Sequence, residues 1–224
     1  CWKAGGAAVS NTDGSKTSQV SANVDAGFSI VETTFDSNQS GLTVGHGLDE
    51  APTLIIVKRT DADEDWYVKY NVVDGSADQM RLNTSATSEA ANFTPTSTTV
   101  IGFGSTGAAH TTIAYAFHSV DGFSKIGFYN GNNGSNPITT GFRPAFLMIK
   151  RSNTSGSWLI LDNKRETSNP RHTYLFPASG STESVVASNL GYDVDFDNNG
   201  FELKGSGGDV NASGSKYIFM AFAE

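Results

Sequence analysis

Four histidines, one cysteine and two clusters of carboxylates are the residues of this chain best equipped for acid–base, nucleophilic or metal chemistry. Asp193, Asp195 and Asp197 have the alternate spacing that opens a calcium loop. Such a loop also needs glycine at its sixth position and a bidentate glutamate at its twelfth. Asn198 and Lys204 stand there instead. On a strand the three aspartates share one face, where they repel one another unless a cation joins them. They are a cation candidate, set against the plainer reading of a solvated hairpin face that the two mismatches favour. Asp61, Asp63, Glu64 and Asp65 form the second cluster, which reads as a solvated loop.

His46 precedes Gly47-Leu48 and, a few residues on, Pro52. A matched stretch later in the chain has Thr140 in its place, a residue that hydrogen-bonds but does no acid–base work at neutral pH. The pair reads as a turn brace. His110, His118 and His172 lie in unrelated contexts with no matched acidic neighbour, no Gly-x-Ser-x-Gly elbow is present, and Cys1 stands alone. No catalytic residue, metal or cofactor is expected. Trp66 and Trp158 have faces that suit a sugar ring, but apolar residues follow each, so core packing is the expectation. The residues expected to be exposed for ligand recognition are Tyr129, Asn130, Asn132 and Asn133, in a Gly/Asn-rich loop.

The elements that must position these groups come in two copies. Gly47 to Arg59 and Gly141 to Arg151 are each a glycine–proline turn, an apolar run and a Lys-Arg stop. Pro144 and Pro52, Arg151 and Arg59, and Trp158 and Trp66 all stand 92 residues apart (144 − 52, 151 − 59, 158 − 66). Constant spacing over different loop contents, Asp-rich in one and Asn153-Thr154-Ser155-Gly156 in the other, is what two copies of one hairpin would show. Asp25 to Val31 and Asp121 to Gly127 open the copies; Ile113 to Phe117 and Ile218 to Phe222 close them. In the closing strands Ile113, Tyr115 and Phe117, and likewise Ile218, Met220 and Phe222, fall on one face. A hairpin is expected from Asp193–Phe196 to Phe201–Leu203 across an Asn/Gly turn. Ser85–Ala91 and Ser181–Ser188 are the only helical candidates, each a turn or two.

Composition agrees with short strands joined by polar turns: 17% charged residues, 38% hydrophobic and 24 glycines. Fifteen basic against 23 acidic residues give a net charge of −8, which argues against nucleic acid as a partner because phosphate binding depends on Lys and Arg. No apolar run reaches the roughly 20 residues of a membrane-spanning helix, so no membrane insertion is expected. One cysteine excludes an intrachain disulfide. The expected fold is all-β, two tandem antiparallel β-sandwich modules of jelly-roll-like type related by internal duplication. Residues 1–24 read as the end of an upstream repeat plus linker, with one edge strand near Thr17 to Ala22; 25–120 and 121–224 are the two repeats. Cys1-Trp2-Lys3 takes the place of Ala116-Phe117-His118 and Ala221-Phe222-Ala223, so the expectation is a closing strand of a third copy and a chain that is part of a longer array.

Cys1 to Gly6, Val44 to Leu48 with Ala51-Pro52, Phe117 to Gly127, Gly141 to Arg151, and Asn211 to Gly214 with Tyr217 resemble a tandem repeat domain of virion and tail-fibre-like proteins from marine and cyanobacterial tailed phages. The resemblance runs over essentially the whole chain. It implies a non-enzymatic structural protein at the virion surface, outside the cell: a fibre, appendage or decoration segment. Other virion subunits are the implied partners, with a homotrimer expected from fibre architecture and host-surface glycan as a further partner. The alternatives are a carbohydrate-binding module for cell-surface glycan and, third, a polysaccharide-degrading enzyme, whose paired carboxylates are defined by spatial separation.

Overall fold

The computed structural model describes residues 2–91, 97–104, 106–179, 183–185 and 191–224 and is all-β, with several antiparallel sheets. Two compact units form, Cys1–Arg81 with Glu89–Val120, and Leu82–Ser88 with Asp121–Glu224.

The first unit contains β1 (Val9–Asn11), β2 (Ser18–Asn23), β3 (Phe28–Phe35), β4 (Leu42–Gly45), β5 (Leu54–Arg59), β6 (Tyr67–Tyr70), β7 (Asp78–Arg81), β8 (Glu89–Ala90), β9 (Val100–Phe103) and β10 (His110–Phe117). Its main sheet runs β1-β2-β3-β10-β5-β6-β7-β8, and β4 pairs with β9 in a second, smaller sheet. Residues 1–24 thus supply two strands of this sheet: β2 stands where one edge strand is expected, but is covered by β1, which makes the edge where linker is expected. Trp2 and Lys3 are not in a strand. The Trp2 indole instead packs on the Phe28 and Phe117 rings, 6.1 and 5.2 Å between centroids; Cys1 lies outside the described residues.

The second unit contains β11 (Ser124–Asn130), β12 (Asn136–Thr139), β13 (Pro144–Arg151), β14 (Trp158–Asp162), β15 (Thr173–Tyr174), β16 (Ser184–Val185), β17 (Val194–Asp197), β18 (Gly200–Leu203) and β19 (Lys216–Ala223). Its main sheet runs β11-β19-β13-β14, a second runs β12-β18-β17, and β15 pairs with β16. The expected Asn/Gly hairpin is β17–β18, with Val194 opposite Leu203. Of the helical candidates, Ser85–Ala91 holds the two-residue strand β8, and Ser181–Ser188 lies largely outside the described residues. Leu82–Ser88, placed by its sequence position in the first repeat, bonds within the second unit: Ser88 N donates to Ser152 O at 2.8 Å and Gly156 N to Ser85 O at 3.0 Å.

The pairing registers of the two main sheets agree. Ile56 opposes Tyr115 and Val68 in the first, and Met148 opposes Met220 and Ile160 in the second. The β5 and β6 positions map onto β13 and β14 at 92 residues (148 − 56, 160 − 68), and β10 onto β19 at 105 (220 − 115). The smaller sheets agree too, since Val44 opposes Ile101 as Ile138 opposes Phe201. The opening strands show which residue sets register. The Gly27-Phe28-Ser29 and Gly122-Phe123-Ser124 triplets stand 95 apart, yet Ile30 opposite Tyr115 and Ile126 opposite Met220 stand 96 apart (126 − 30). Pairing matches the isoleucines and not the triplets, and a one-residue slip would turn the buried Val31 and Phe35 side of β3 out of the core. Phe28 is accordingly buried and stacked on Phe117 at 4.8 Å, while Phe123 is 37% exposed.

Each unit's core lies between its two sheets. In the first, Val31, Phe35, Ile55, Val57, Ala114 and Ala116 meet Leu42, Val44, Ile101 and Phe103. In the second, Leu147, Ile149, Leu159, Leu161, Phe219 and Ala221 meet Val194, Phe196, Phe201 and Leu203. The Ile113, Tyr115 and Phe117 set of β10 and the Ile218, Met220 and Phe222 set of β19 are thus not the inter-sheet sets, which are Ala114 with Ala116 and Phe219 with Ala221. Ile218, Met220 and Phe222 occupy the other face of β19 and are buried as well, which is why β19 is nearly continuously apolar rather than alternating with polar residues.

Candidate functional site

Most of the groups singled out from sequence are built into turns. His46 is fully buried: its Nδ1 accepts from Leu48 N at 3.2 Å, so Nε2 carries the proton and donates to Ser97 O at 3.1 Å. Burial lowers its pKa, with the Ser97 bond opposing. Thr140 does the same work by another chemistry, its hydroxyl donating to Phe142 O at 2.6 Å. The main chain repeats as well, His46 N donating to Thr99 O and Thr140 N to Asn199 O. Gly47 and Gly141, at φ 69° and 94°, make the following bend in a region that a side chain disfavours.

Tyr129 is not exposed, as expected for a recognition residue, but 5% accessible, because alternation on β11 turns it into the core. Its hydroxyl donates to Val210 O at 2.6 Å and its ring stacks on Tyr217 at 5.0 Å. Burial raises its pKa well above the ordinary value. Asn130 is exposed. Asn132 and Asn133 are exposed but committed to the loop: Asn132 Oδ1 accepts from Gly134 N at 2.8 Å and Asn133 Oδ1 from Ser213 N at 2.8 Å. The hub is Asn211, fully buried, whose amide donates to Gly134 O and Gly205 O at 2.7 Å each.

The aspartate series is split. Asp195 Oδ2 lies 3.1 Å from Lys204 Nζ, which also reaches Glu202 at 2.5 Å, so a lysine neutralises this face. Asp193 precedes the strand; its Oδ1 is buried with no hydrogen-bond partner, and burial raises its pKa. Asp197 is exposed at the hairpin turn. Among the described residues no group of three or more His, Cys, Asp and Glu side chains is arranged to hold a metal ion. In the other cluster Arg59 pairs with Asp61 at 2.7 Å and Glu64 at 2.8 Å, and Arg81 pairs with Asp65 at 2.9 Å. Trp158 is buried and Trp66 half-buried, parallel to Tyr115 at 6.4 Å.

Two histidines do have carboxylates nearby, which sequence distance concealed. His118 Nε2 lies 3.5 Å from Asp49 Oδ1, and His172 Nδ1 lies 3.4 Å from Glu166 Oε1. Glu166 is held in place by the main chain, accepting from His172 N at 2.8 Å and Thr173 N at 3.0 Å. Neither pair lines the concave site that the second unit forms.

That site is a cavity of about 360 Å³ at one end of the second main sheet, lined by Arg143, Pro144, Asn163, Lys164, Thr167, Arg171 and Glu224. Arg143 is exposed in the turn before β13, and Asn163 and Lys164 follow β14, where Asp162 Oδ1 accepts from Lys164 N and Arg165 N at 2.9 and 2.8 Å. Arg171 exchanges main-chain bonds with Val194 (2.8 and 3.0 Å), and its guanidinium lies 4.1 Å above the Phe196 ring. Its side chain is 1% accessible, Nη1 donates to the Asn169 amide oxygen, and Nε is buried without a partner. Desolvation, then the like charge of Arg143, lowers its pKa; Glu166, Asp195 and Asp162 act on it only through space. Three cations against one carboxylate, in a chain of net charge −8, make this a local positive cavity. Sequence reasoning did not single out these residues. The available signal was Arg143, which stands 92 residues after Ala51 (143 − 51), the spacing that also separates Pro52 from Pro144.

Residues 1–224 match the family described as Domain of unknown function (DUF7483), and the chain belongs to it. Comparison with curated proteins gives no match, and comparison with solved structures gives none either.

Proposed function

We propose that this member of the DUF7483 family is a non-enzymatic structural module of a tailed-phage virion, a segment of a tail fibre, appendage or decoration protein. In this reading its two units are tandem β-sandwich repeats of jelly-roll-like type that arose by internal duplication. The observation that carries the duplication is the shared register: β3-β10-β5-β6 of the first main sheet and β11-β19-β13-β14 of the second pair in the same order, each strand at one offset (96, 105, 92 and 92 residues), while their loop contents differ. A repeated rigid frame with variable loops suits a spacer that presents surface outside the particle and touches the host envelope. The His46 and Thr140 braces, the Asn211 hub and the Arg59 and Arg81 ion pairs support a scaffold role, because these groups hold turns. Fibre architecture adds assembly with other virion subunits as a homotrimer. The test is peptide mass spectrometry of purified particles of the encoding virus. Stoichiometric recovery of this chain is expected, and its absence from the particles overturns the reading.

A second reading, a carbohydrate-binding module for cell-surface glycan, is favoured by one observation, the positive cavity around Arg171.

A further inference from the structure

We propose that the cavity of Arg143, Lys164 and Arg171 binds one anionic sugar residue, a saccharide unit carrying a carboxylate or a sulfate. The inference rests on the carbohydrate-binding reading and is independent of the virion reading.

Burying a guanidinium is costly unless its donors are met. Arg171 is fully buried, yet Nη1 reaches only a neutral amide and Nε meets nothing. Stacking on Phe196 holds the planar group but does not neutralise it. An oxyanion entering the cavity would supply the direct charged partner that the nearby carboxylates, acting only through space, do not give, and an arginine fork suits its paired oxygens. Arg143 and Lys164 add charge at the mouth. Lys164 is paired with Glu224 at 2.7 Å, but both side chains are more than 70% exposed, so little holds that pair closed.

Two features argue for a sugar over a bare ion. Asn163 and Thr167 also line the cavity, and an amide and a hydroxyl are groups that read sugar hydroxyls. A volume of about 360 Å³ lies near the bottom of the ligand-pocket range of roughly 300–1,000 Å³, room for one ring and its substituent. A long polyanion is disfavoured by the net charge of −8.

The test is a titration of the whole chain with galacturonate, galactose 6-sulfate, galactose and inorganic sulfate, read by amide NMR shifts. Saturable shifts centred on Arg143 and on residues 163–169 and 171 are expected with a charged sugar, about tenfold tighter than with galactose or inorganic sulfate. The tighter of the two charged sugars assigns the anionic group. Arg143→Ala with Lys164→Ala should weaken binding by about tenfold with an unchanged melting temperature, since both side chains are exposed. Arg171→Gln would mix lost binding with lost stability, so the exposed pair carries the test. Equal binding of galactose, at an affinity the double variant keeps, overturns the anionic assignment while leaving carbohydrate binding standing. Inorganic sulfate binding as tightly as either sugar reduces the cavity to a generic anion site. No shifts with any sugar overturn both the inference and the carbohydrate reading.

Discussion

The two units apply one pairing scheme to different side chains, and the places where matched positions diverge separate frame from function. Lys58 and Lys150 stand 92 apart (150 − 58), each ending the apolar run of its turn–strand unit. Lys58 is half-buried and donates to Ala62 O and Glu64 O, whereas Lys150 is fully buried and donates to Arg151 O at 2.6 Å. Trp66 and Trp158 diverge in the same direction. The frame tolerates either degree of burial because the main-chain ladder fixes register and the side chain then answers to what covers it.

The tryptophans give the largest contrast. Trp158→Ala should cost about 3–5 kcal/mol, the usual range for emptying a buried aromatic site. Trp66→Ala should cost about 1 kcal/mol, chiefly its contact with Tyr115. Urea unfolding midpoints measure both, and equal losses would break the distinction between the two sites.

The lysines should differ in sign. Desolvation lowers the Lys150 pKa to about 8, opposed by Asp209 and assisted by Arg151. The unfolded chain therefore binds the extra proton between about 8 and its ordinary 10.5, so this contribution is full above that window and lost as pH falls through it. Lys150→Met should stabilise the fold at pH 7 by roughly 1–3 kcal/mol and flatten the alkaline slope. Lys58→Met, which removes two bonds to loop carbonyls, should destabilise by about 1 kcal/mol. Two losses of similar size would show that Lys150 is not held as a desolvated cation.

These contrasts bear on what the sequence made legible. All-β character, the Asn/Gly hairpin and the His46/Thr140 correspondence could be read because each rests on short-range chemistry: alternation, turn residues and a hydrogen-bonding side chain before a glycine. Of the two strands in residues 1–24, β2 falls where a strand is expected near Thr17 to Ala22, though inside the sheet rather than at its edge; β1 could not be read, since Val9–Asn11 has little apolar signal and pairs only at an edge. Tyr129 was misread because its loop neighbours are polar, while its own side is set by strand parity. The cavity was invisible because Arg143, Lys164 and Arg171 converge only after β13, β14 and the 163–172 connection are placed. The Ala51 to Arg143 difference was its one trace.

The smallest predicted contrast is a slope. Burial holds His46 below its ordinary pKa of 6.5, so the unfolded chain binds a proton that the folded chain does not in the window beneath 6.5. Its contribution is full above 6.5 and is lost as pH falls toward the lower folded value. Thr140, at the matched position, does not titrate. His46→Asn should shrink the stability change between pH 7 and pH 5, measured by denaturant midpoints, and Thr140→Val should leave it intact. An unchanged slope in His46→Asn would remove His46 as the source.

The shared register is the claim on which the repeat reading depends, and cross-strand Hα–Hα NOEs at the non-hydrogen-bonded pairs test it directly. The account predicts contacts along the Ile56–Tyr115 ladder and the same alternate pattern along the Met148–Met220 ladder, at offsets of 92 and 105 residues. A slip of one or more residues in either ladder relative to the other would contradict it.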